Sequence, residues 1–307
     1  MRIIIPSDGS ASCREAIRFI GERAKFMREK PVVELANVQY AIPESIIDRF
    51  GLEAVCAVYE AEGRAQLAEC TKTAERAGLS VETRVLYGEC GPSLAREAQV
   101  FRADLIAMGS RGLSPAKSFF LGSVSRSVLE HSSLPVLLVR EKGLPERENM
   151  RIALAADGSD YGEAAAHFIA EHLDLFGPGL TVDVISIAPD YVSLAKNEID
   201  GVSPASSKEF FEKESQSAWE NAVSPVLATL TAAGIDARPV KREGDPAEAI
   251  SAYANENADI VVMGSHGYGR FKSAVLGRPR GGALRNPGAR DPPSRGSADL
   301  TFKRIFC

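Results

Sequence analysis

The sequence MRIIIPSDGS at residues 1–10 returns as MRIALAADGS at residues 150–159. A second block, ADLIAMGSRG at residues 103–112, returns as ADIVVMGSHG at residues 258–267. Two matched blocks in the same order and at nearly the same separation indicate a duplicated domain. Residues 141–149, between the copies, are charged, contain Gly143 and Pro145 and lack periodicity, so we predict a short exposed linker there.

Within each copy, short apolar runs alternate with stretches of helical periodicity. In the first copy we predict strands at residues 2–6, 32–38, 80–86, 104–108 and 135–139, and helices at residues 12–28, 53–77, 92–101 and 123–131. Strands that are apolar throughout and separated by helices indicate a parallel sheet covered on both faces. We therefore predict an α/β fold with two tandem, doubly wound, five-stranded parallel sheets. Ligands on such sheets bind where the strand order reverses, which points to the loops after the first and fourth strands.

The composition excludes several classes of function. The chain has 307 residues, of which 45% are apolar and 25% charged, and this balance is typical of soluble globular domains. The net charge is −5 and no long basic run occurs, so we expect no nucleic-acid partner. No stretch is long enough to span a bilayer, and the start at Met1 has no signal-peptide layout. We expect a cytoplasmic protein with no membrane partner.

The five cysteines and four histidines show no metal-binding spacing. An odd number of cysteines, without a Cys-x-x-Cys pair, predicts free thiols. Cys13 and Cys70 lie in helical stretches, where a small buried hydrophobe is the favoured interpretation. His167 and His172 are five residues apart and therefore off a shared helical face. We predict no metal site and no catalytic residue, because no nucleophile–base set is present.

The fourth predicted strand is followed by the pattern Gly-x2-Gly-x9-Gly-Ser, formed by Gly109, Gly112, Gly122 and Ser123. Glycines at a strand end let the backbone turn and approach a ligand closely. The helix predicted to follow Gly122 would offer its N-terminal N–H groups to a phosphate, and Ser123 could cap that helix. An ordinary set of loop glycines is the alternative. The length of the pattern and its position favour a phosphate site, although it lacks the lysine of a Walker loop.

The loop after the first strand reads Asp8-Gly9-Ser10. A carboxylate at this position could accept hydrogen bonds from a ribose, as an acidic residue does in other doubly wound nucleotide-binding folds. Equally, Asp8 or Ser10 could simply cap the helix that begins near Ser12. The sequence leaves both interpretations open.

The two Asp-Gly-Ser blocks, the Met-Gly-Ser-x-Gly blocks and the glycine pattern resemble the universal stress protein family in its tandem, ATP-binding form. The resemblance covers residues 1–140 and 150–277. It implies a Rossmann-like, adenine nucleotide alpha hydrolase-like fold, with ATP as the ligand. A Mg²⁺ ion held by the phosphates could accompany the ATP. The resemblance also implies that Asp8 contacts the ribose and Val38 the adenine. The remaining cofactor-binding residues that it implies are Met108, Gly109, Gly112, Gly122, Ser123, Val124 and Ser125.

The second copy begins the same motif but does not complete it. Its candidate site residues are Asp157, Ile187, Met263, Gly264, Gly267 and Gly277. Arg278 follows where a serine is expected, and residues 278–307 are rich in Arg, Pro and Gly without an apolar period. We hypothesise a frameshift near the codon of Gly277. The alternative is a diverged tail in which residues 299–306 supply a substitute edge strand.

With either origin of the tail, we expect domains at residues 1–141 and 150–277, the second without its last helix and strand. We also expect an unpaired sheet edge there and weak or absent nucleotide binding. The sequence thus predicts a stress-response protein that binds ATP in its first domain as a regulator or sensor, and that forms a homodimer or an intrachain pseudo-dimer. A slow ATPase, or an interaction protein with vestigial sites, is the alternative. The irregular segments 40–51 and 190–207 are candidate lids or partner surfaces.

Overall fold

The computed structural model describes residues 1–110, 122–140, 147–191, 204–264 and 304–306. The first copy comprises β1 (Arg2–Pro6), α1 (Ala11–Ala24), β2 (Val32–Gln39), α2 (Glu44–Phe50), α3 (Leu52–Arg76), β3 (Val81–Tyr87), α4 (Cys90–Val100), β4 (Leu105–Gly109), α5 (Ser123–His131) and β5 (Val136–Val139). The second comprises β6 (Arg151–Ala155), α6 (Asp160–Glu171), α7 (Leu173–Phe176), β7 (Thr181–Ile187), α8 (Pro204–Ala232), β8 (Asp236–Arg242), α9 (Pro246–Asn257) and β9 (Ile260–Met263). A final strand, β10, spans Arg304–Phe306.

The strands of each copy form a parallel sheet. The order is β3-β2-β1-β4-β5 in the first copy and β9-β6-β7-β8 in the second. The predicted α/β class is confirmed, and the second parallel sheet has four strands where the first has five. Because β1 lies between β2 and β4, the strand order reverses beside β1. The loops after β1 and β4 therefore lie at the switch point, where doubly wound sheets bind their ligands.

The strand β10 connects the two parallel sheets. It pairs in parallel with β5, where Ile305 lies opposite Leu137, and antiparallel with β9, where Ile305 lies opposite Val262. The result is one continuous sheet of ten strands. The expectation of an unpaired edge at β9 is wrong, because the backbone of Arg304–Phe306 pairs with that edge. Residues 265–303 of the chain lie outside the described residues.

Both faces of the central strands β1, β4 and β6 are buried, as their apolar sequences predict. In β1, Ile3 and Ile5 pack with residues of α1 and α3 on one face, while Ile4 packs with Leu94 of α4 on the other. All three isoleucines are fully buried. A strand covered on both faces needs an unbroken apolar run, which explains why the strand boundaries could be predicted closely.

The segment predicted to be irregular at residues 40–51 contains the helix α2, so this expectation is wrong. With only seven residues, Glu44–Phe50 is shorter than the window of about 11–18 residues over which a helical period is recognised. In the second irregular segment, residues 192–203 lie outside the described residues, and α8 begins at Pro204.

An aspartate at the start of the repeated second block ties two strands together in each copy. Asp104 accepts a hydrogen bond of 2.7 Å from the backbone N–H of Arg2, and Asp259 accepts one of 2.9 Å from Arg151. In return, the aspartate N–H donates to the carbonyl oxygen of the same arginine. The repetition of Ala-Asp in both blocks thus has a structural reason, because it fixes the register at the start of two adjacent strands.

A buried arginine joins the two copies. The side chain of Arg23, on α1, donates hydrogen bonds to the carbonyl oxygens of Leu175, Arg147 and Glu148, at 2.7, 2.8 and 2.6 Å. Only 1% of Arg23 is exposed. A buried guanidinium needs acceptors for its donors, and these carbonyl groups supply them. The chain around the predicted linker is thereby fastened to the first helix.

Glu34 is a buried carboxyl group in the centre of β2. Its Oε1 atom has no hydrogen-bond partner among the described residues, and Arg84 Nε lies 3.9 Å from its Oε2 atom. Burial, together with repulsion from Glu97, raises the pKa of Glu34 from 4.5 to about 7. The folded state therefore favours the neutral, protonated form of Glu34.

We predict that Glu34→Gln stabilises the protein above neutral pH. Since the folded-state pKa lies above the unfolded one, Glu34 destabilises the fold progressively as the pH rises from 4.5 through 7. Glutamine stays neutral, so the gain in the free energy of unfolding at pH 8 should reach up to about 3 kcal/mol. At pH 5 it should be well under half of that. Urea unfolding at both pH values tests this, and an equal gain at both would contradict it.

Candidate functional site

The loop after β1 carries a helix cap and an exposed carboxylate. Ser10 Oγ accepts a hydrogen bond of 3.2 Å from the N–H of Cys13, so Ser10 caps α1. Asp8 Oδ1 accepts one of 2.9 Å from the N–H of Ser10, in an Asx turn. Gly9 between them has a φ of +75°, which favours glycine. Capping thus falls to Ser10, and Asp8 remains an exposed carboxylate at this edge of the sheet.

The last residue of β4, Gly109, packs against the first turn of α1. A methyl group in place of its hydrogen would overlap the backbone carbonyl of Ser12. In the second copy, a methyl group at Gly264 would overlap the side chain of Tyr161. The first glycine of each motif is therefore required by packing, whether or not a ligand binds. Met108, the residue before Gly109, is buried in the core.

The helix α5 begins at the predicted position but without the predicted cap. Gly122 is the N-cap residue and Ser123 is the first helical residue, so the prediction that Ser123 caps the helix is wrong. A methyl group at Gly122 would meet no atom within 4 Å among the described residues. Ser123 and Val124 are exposed, whereas Ser125 is buried. The first turn of α5 is therefore open and has no side-chain cap at its start.

The topology brings these parts to one edge of the sheet. Because β4 and β5 are parallel, the crossover between them leaves the carboxyl edge, where Gly109 lies, and α5 runs back towards the amino edge. The Asp8 loop leaves the same edge beside it, since β1 pairs with β4. Val38 lies near the carboxyl end of β2, which is the other neighbour of β1. Gly112 lies outside the described residues.

The second copy repeats the loop with a different hydrogen-bond pattern. Asp157 Oδ1 accepts from both the N–H and the hydroxyl of Ser159, at 3.1 and 2.5 Å. The Ser159 hydroxyl is thus directed at Asp157, and α6 begins without a side-chain cap. Ile187 is the last residue of β7, and Met263 is buried. Gly267 and Gly277 lie outside the described residues.

A buried polar network beneath the first loop was missed from the sequence. Asn37 Nδ2 donates to the carbonyl oxygen of Ser7, at 2.7 Å, and to Gln66 Oε1, at 2.8 Å. Gln39 Nε2 donates to Asn37 Oδ1 at 2.7 Å. The signal was present, because Asn37 and Gln39 interrupt an otherwise apolar strand. The network ties β2 and α3 to the residue before Asp8, and so positions the loop.

Comparison with known sequences shows the family to which the chain belongs. The sequence profile described as the universal stress protein family matches residues 1–140 and 148–280. The chain belongs to the universal stress protein family. Its two matched regions correspond to the duplicated copies, so the chain is a tandem universal stress protein.

Individual relatives match one or both copies of this universal stress protein. Universal stress protein MJ0531 of Methanocaldococcus jannaschii is 29% identical over 148 residues, which are 48% of this chain and 84% of the relative. Universal stress protein YxiE of Bacillus subtilis is 35% identical over 106 residues, or 34% of this chain and 68% of the relative. The crystal structure of a universal stress protein from Archaeoglobus fulgidus covers 86% of both chains, with a TM-score of 0.61 and 21% identity. That structure shares the fold across both copies.

Two further properties concern the described ranges of the chain. No helix in them is both long and apolar enough to cross a membrane. Within the same ranges, no three His, Cys, Asp or Glu side chains lie together in a way that could hold a metal ion.

We predict that the two described glycines of the first motif differ in their effect on stability. Gly109→Ala should lower the free energy of unfolding by about 2 kcal/mol, because its methyl group overlaps the Ser12 backbone. Gly122→Ala should lower it by no more than about 1 kcal/mol, because the site is open and only cap preference is lost. Urea unfolding of both variants measures the difference. An equal loss of stability in both variants would show that the contact between Gly109 and Ser12 does not exclude a side chain at residue 109.

Proposed function

We propose that the first copy binds ATP at the carboxyl edge between β1 and β4, and that the protein acts as a nucleotide-dependent regulator or sensor in a stress response. The observation that carries the proposal is the open first turn of α5, which begins at Gly122 without a side-chain cap. A helix N-terminus presents N–H groups and the positive end of the helix dipole, and it therefore favours a phosphate.

The other residues of this edge suit the rest of the nucleotide. Asp8 is an exposed acceptor that can take hydrogen bonds from ribose hydroxyls. Val38 offers an apolar, partly exposed surface for the adenine. Gly122 leaves room for the phosphates, since nothing described would contact a side chain there. Mg²⁺ would be held by the phosphate oxygens, which are the hard ligands that it prefers.

The second copy suits ATP less well, and we propose one nucleotide per chain. Its Asp157 is already engaged by both groups of Ser159. Arg278 replaces the serine that would begin the phosphate-facing helix. A frameshift near Gly277 accounts for this abrupt change, and resequencing of the gene tests it. We further propose that the two domains span residues 1–141 and 150–277, and that their joined sheets make them an intrachain pseudo-dimer.

We predict that Ser123→Asp weakens ATP binding at least tenfold. A carboxylate at the first helical position repels the phosphates but stabilises the helix start, so the fold should survive. Ser123→Asn, whose side chain has nearly the shape of aspartate and no charge, is the control and should bind ATP clearly more tightly than Ser123→Asp. Isothermal titration calorimetry with ATP and Mg²⁺ measures both, and circular dichroism confirms folding.

Two results of that titration would contradict the proposal. The first is a folded Ser123→Asp variant that binds ATP as tightly as Ser123→Asn. The second is an unmodified protein that releases no nucleotide on denaturation and also binds none when ATP is added.

We predict that the equivalent aspartates of the two copies differ in importance. Asp8→Ala should weaken ATP binding about tenfold or more, because it removes a charged acceptor of ribose hydrogen bonds. Asp157→Ala removes the same kind of turn in the second copy and should leave affinity and a stoichiometry of one unchanged. Titration of both variants gives the comparison. Equal weakening by both, or two sites per chain, would show that the second copy also binds.

A further inference from the structure

Two buried thiols meet beneath the loop after β1. Cys13 Sγ, on α1, lies 3.3 Å from Cys70 Sγ, on α3, although the residues are 57 positions apart. Cys13 is 4% exposed and Cys70 is fully buried. Cys13 Sγ also lies 3.5 Å from the hydroxyl oxygen of Ser7. The interpretation of both cysteines as small buried hydrophobes accounts for their burial but not for their contact with each other.

The second copy shows that the fold does not need sulfur at this position. Gly9 packs against Gln66, and Gly158 packs against Ala222 in the corresponding place. Gln66 on α3 therefore corresponds to Ala222 on α8. Four residues further along these helices, Cys70 corresponds to Val226.

The partner of Val226 completes this correspondence. A methyl group on Gly162, the counterpart of Cys13, would lie 3.5 Å from Val226 Cγ2, so these residues face each other too. Ala156 stands in place of Ser7. A polar, sulfur-containing cluster in one copy thus replaces an apolar contact in the other.

The surroundings give the two sulfurs different roles. The contact with Cys13 Sγ, together with a hydrogen bond from the backbone N–H of Gly9, lowers the pKa of Cys70. The same sulfur–sulfur hydrogen bond, together with burial, raises the pKa of Cys13. Of the two thiols, Cys70 therefore ionises more readily, with Cys13 as the neutral thiol beside it.

We propose that Cys13 and Cys70 form a reversible oxidation site, converted by hydrogen peroxide to a disulfide that links α1 to α3. The Cys70 thiolate attacks one peroxide oxygen, the O–O bond breaks, and Cys70 becomes a sulfenic acid. The hydroxide that leaves takes the Cys13 proton and becomes water. The Cys13 thiolate then attacks Cys70 Sγ, so that the S–S bond forms and the S–O bond breaks. The departing hydroxide takes a proton from solvent, and two thiols and one peroxide have given a disulfide and two waters.

The geometry favours a small oxidant and an effect on the loop. Both sulfurs are buried, which admits peroxide more readily than a bulky disulfide. A disulfide has an S–S distance of about 2.05 Å, so the two sulfurs must approach each other from the present 3.3 Å. Because Cys70 accepts from Gly9 and Cys13 contacts Ser7, that movement is transmitted to the loop that carries Asp8.

The test is a peptide map of peroxide-treated, folded protein. Remaining thiols are blocked with N-ethylmaleimide under denaturing conditions, and the protein is digested with trypsin without reduction. Trypsin releases residues 3–14, which contain Cys13, and residues 65–72, which contain Cys70. We expect these peptides to be joined at their summed mass less two hydrogen atoms, and separated again by a reductant.

Matched variants assign the roles. Cys13→Ser should stop the reaction at the Cys70 sulfenic acid, which dimedone traps, whereas Cys56→Ser should leave the joined peptide unchanged. The double variant Cys13→Gly/Cys70→Val copies the contact of the second copy and should fold but form no joined peptide. The proposal is overturned if folded protein yields no joined peptide, if the peptide arises only in urea, or if Cys13→Ser yields no dimedone adduct on Cys70.

Discussion

Packing of the end of β4 against the first turn of α1 is the contact on which the rest of the site depends. It presses Gly109 onto Ser12 in the first copy and Gly264 onto Tyr161 in the second. The helix α1 follows the loop after β1, and β1 lies beside β4 in the sheet. This contact therefore sets the distance between the loops that leave β1 and β4. A side chain at either glycine would push the two loops apart. The switch-point geometry is thus a property of the packing, and both copies have it.

The two copies differ in what lies beneath that shared frame. In the first copy, Asn37 holds the carbonyl oxygen of Ser7 and the side chain of Gln66 by hydrogen bonds. In the second copy, the corresponding residues are Ser186 and Ala222. A buried amide is stable only when its hydrogen bonds are made, and a satisfied network then holds its partners in one arrangement. The loop of the first copy is therefore positioned by polar contacts that the second copy does not share.

The sequence predicted the strands of the first copy to within one residue, and for β1, β4 and β5 the reason is that burial on both faces leaves apolar runs. The range of α5 was also predicted, but its cap residue was not, since the backbone at Gly122 decides it. The helix α2 was not predicted because it spans only seven residues, too few for a helical period to be recognised. The contact between Cys13 and Cys70 joins helices that are distant in the chain, so only the tertiary fold reveals it. The phosphate-side glycines Gly112, Gly267 and Gly277 lie outside the described residues, so their roles stay predictions.

The strand β10 shows that closing a sheet and building a phosphate site are separate requirements. Residues 304–306 pair with β9 as β5 pairs with β4, but in the antiparallel direction. Edge pairing uses only backbone N–H and C=O groups, so almost any extended segment can provide it. The candidate phosphate site of the first copy depends on a helix that begins at the carboxyl edge, and the parallel crossover from β4 to β5 supplies α5 there. An antiparallel neighbour needs no crossover helix. Backbone pairing alone can therefore complete a sheet edge, without the crossover helix whose start forms part of the candidate site of the first copy.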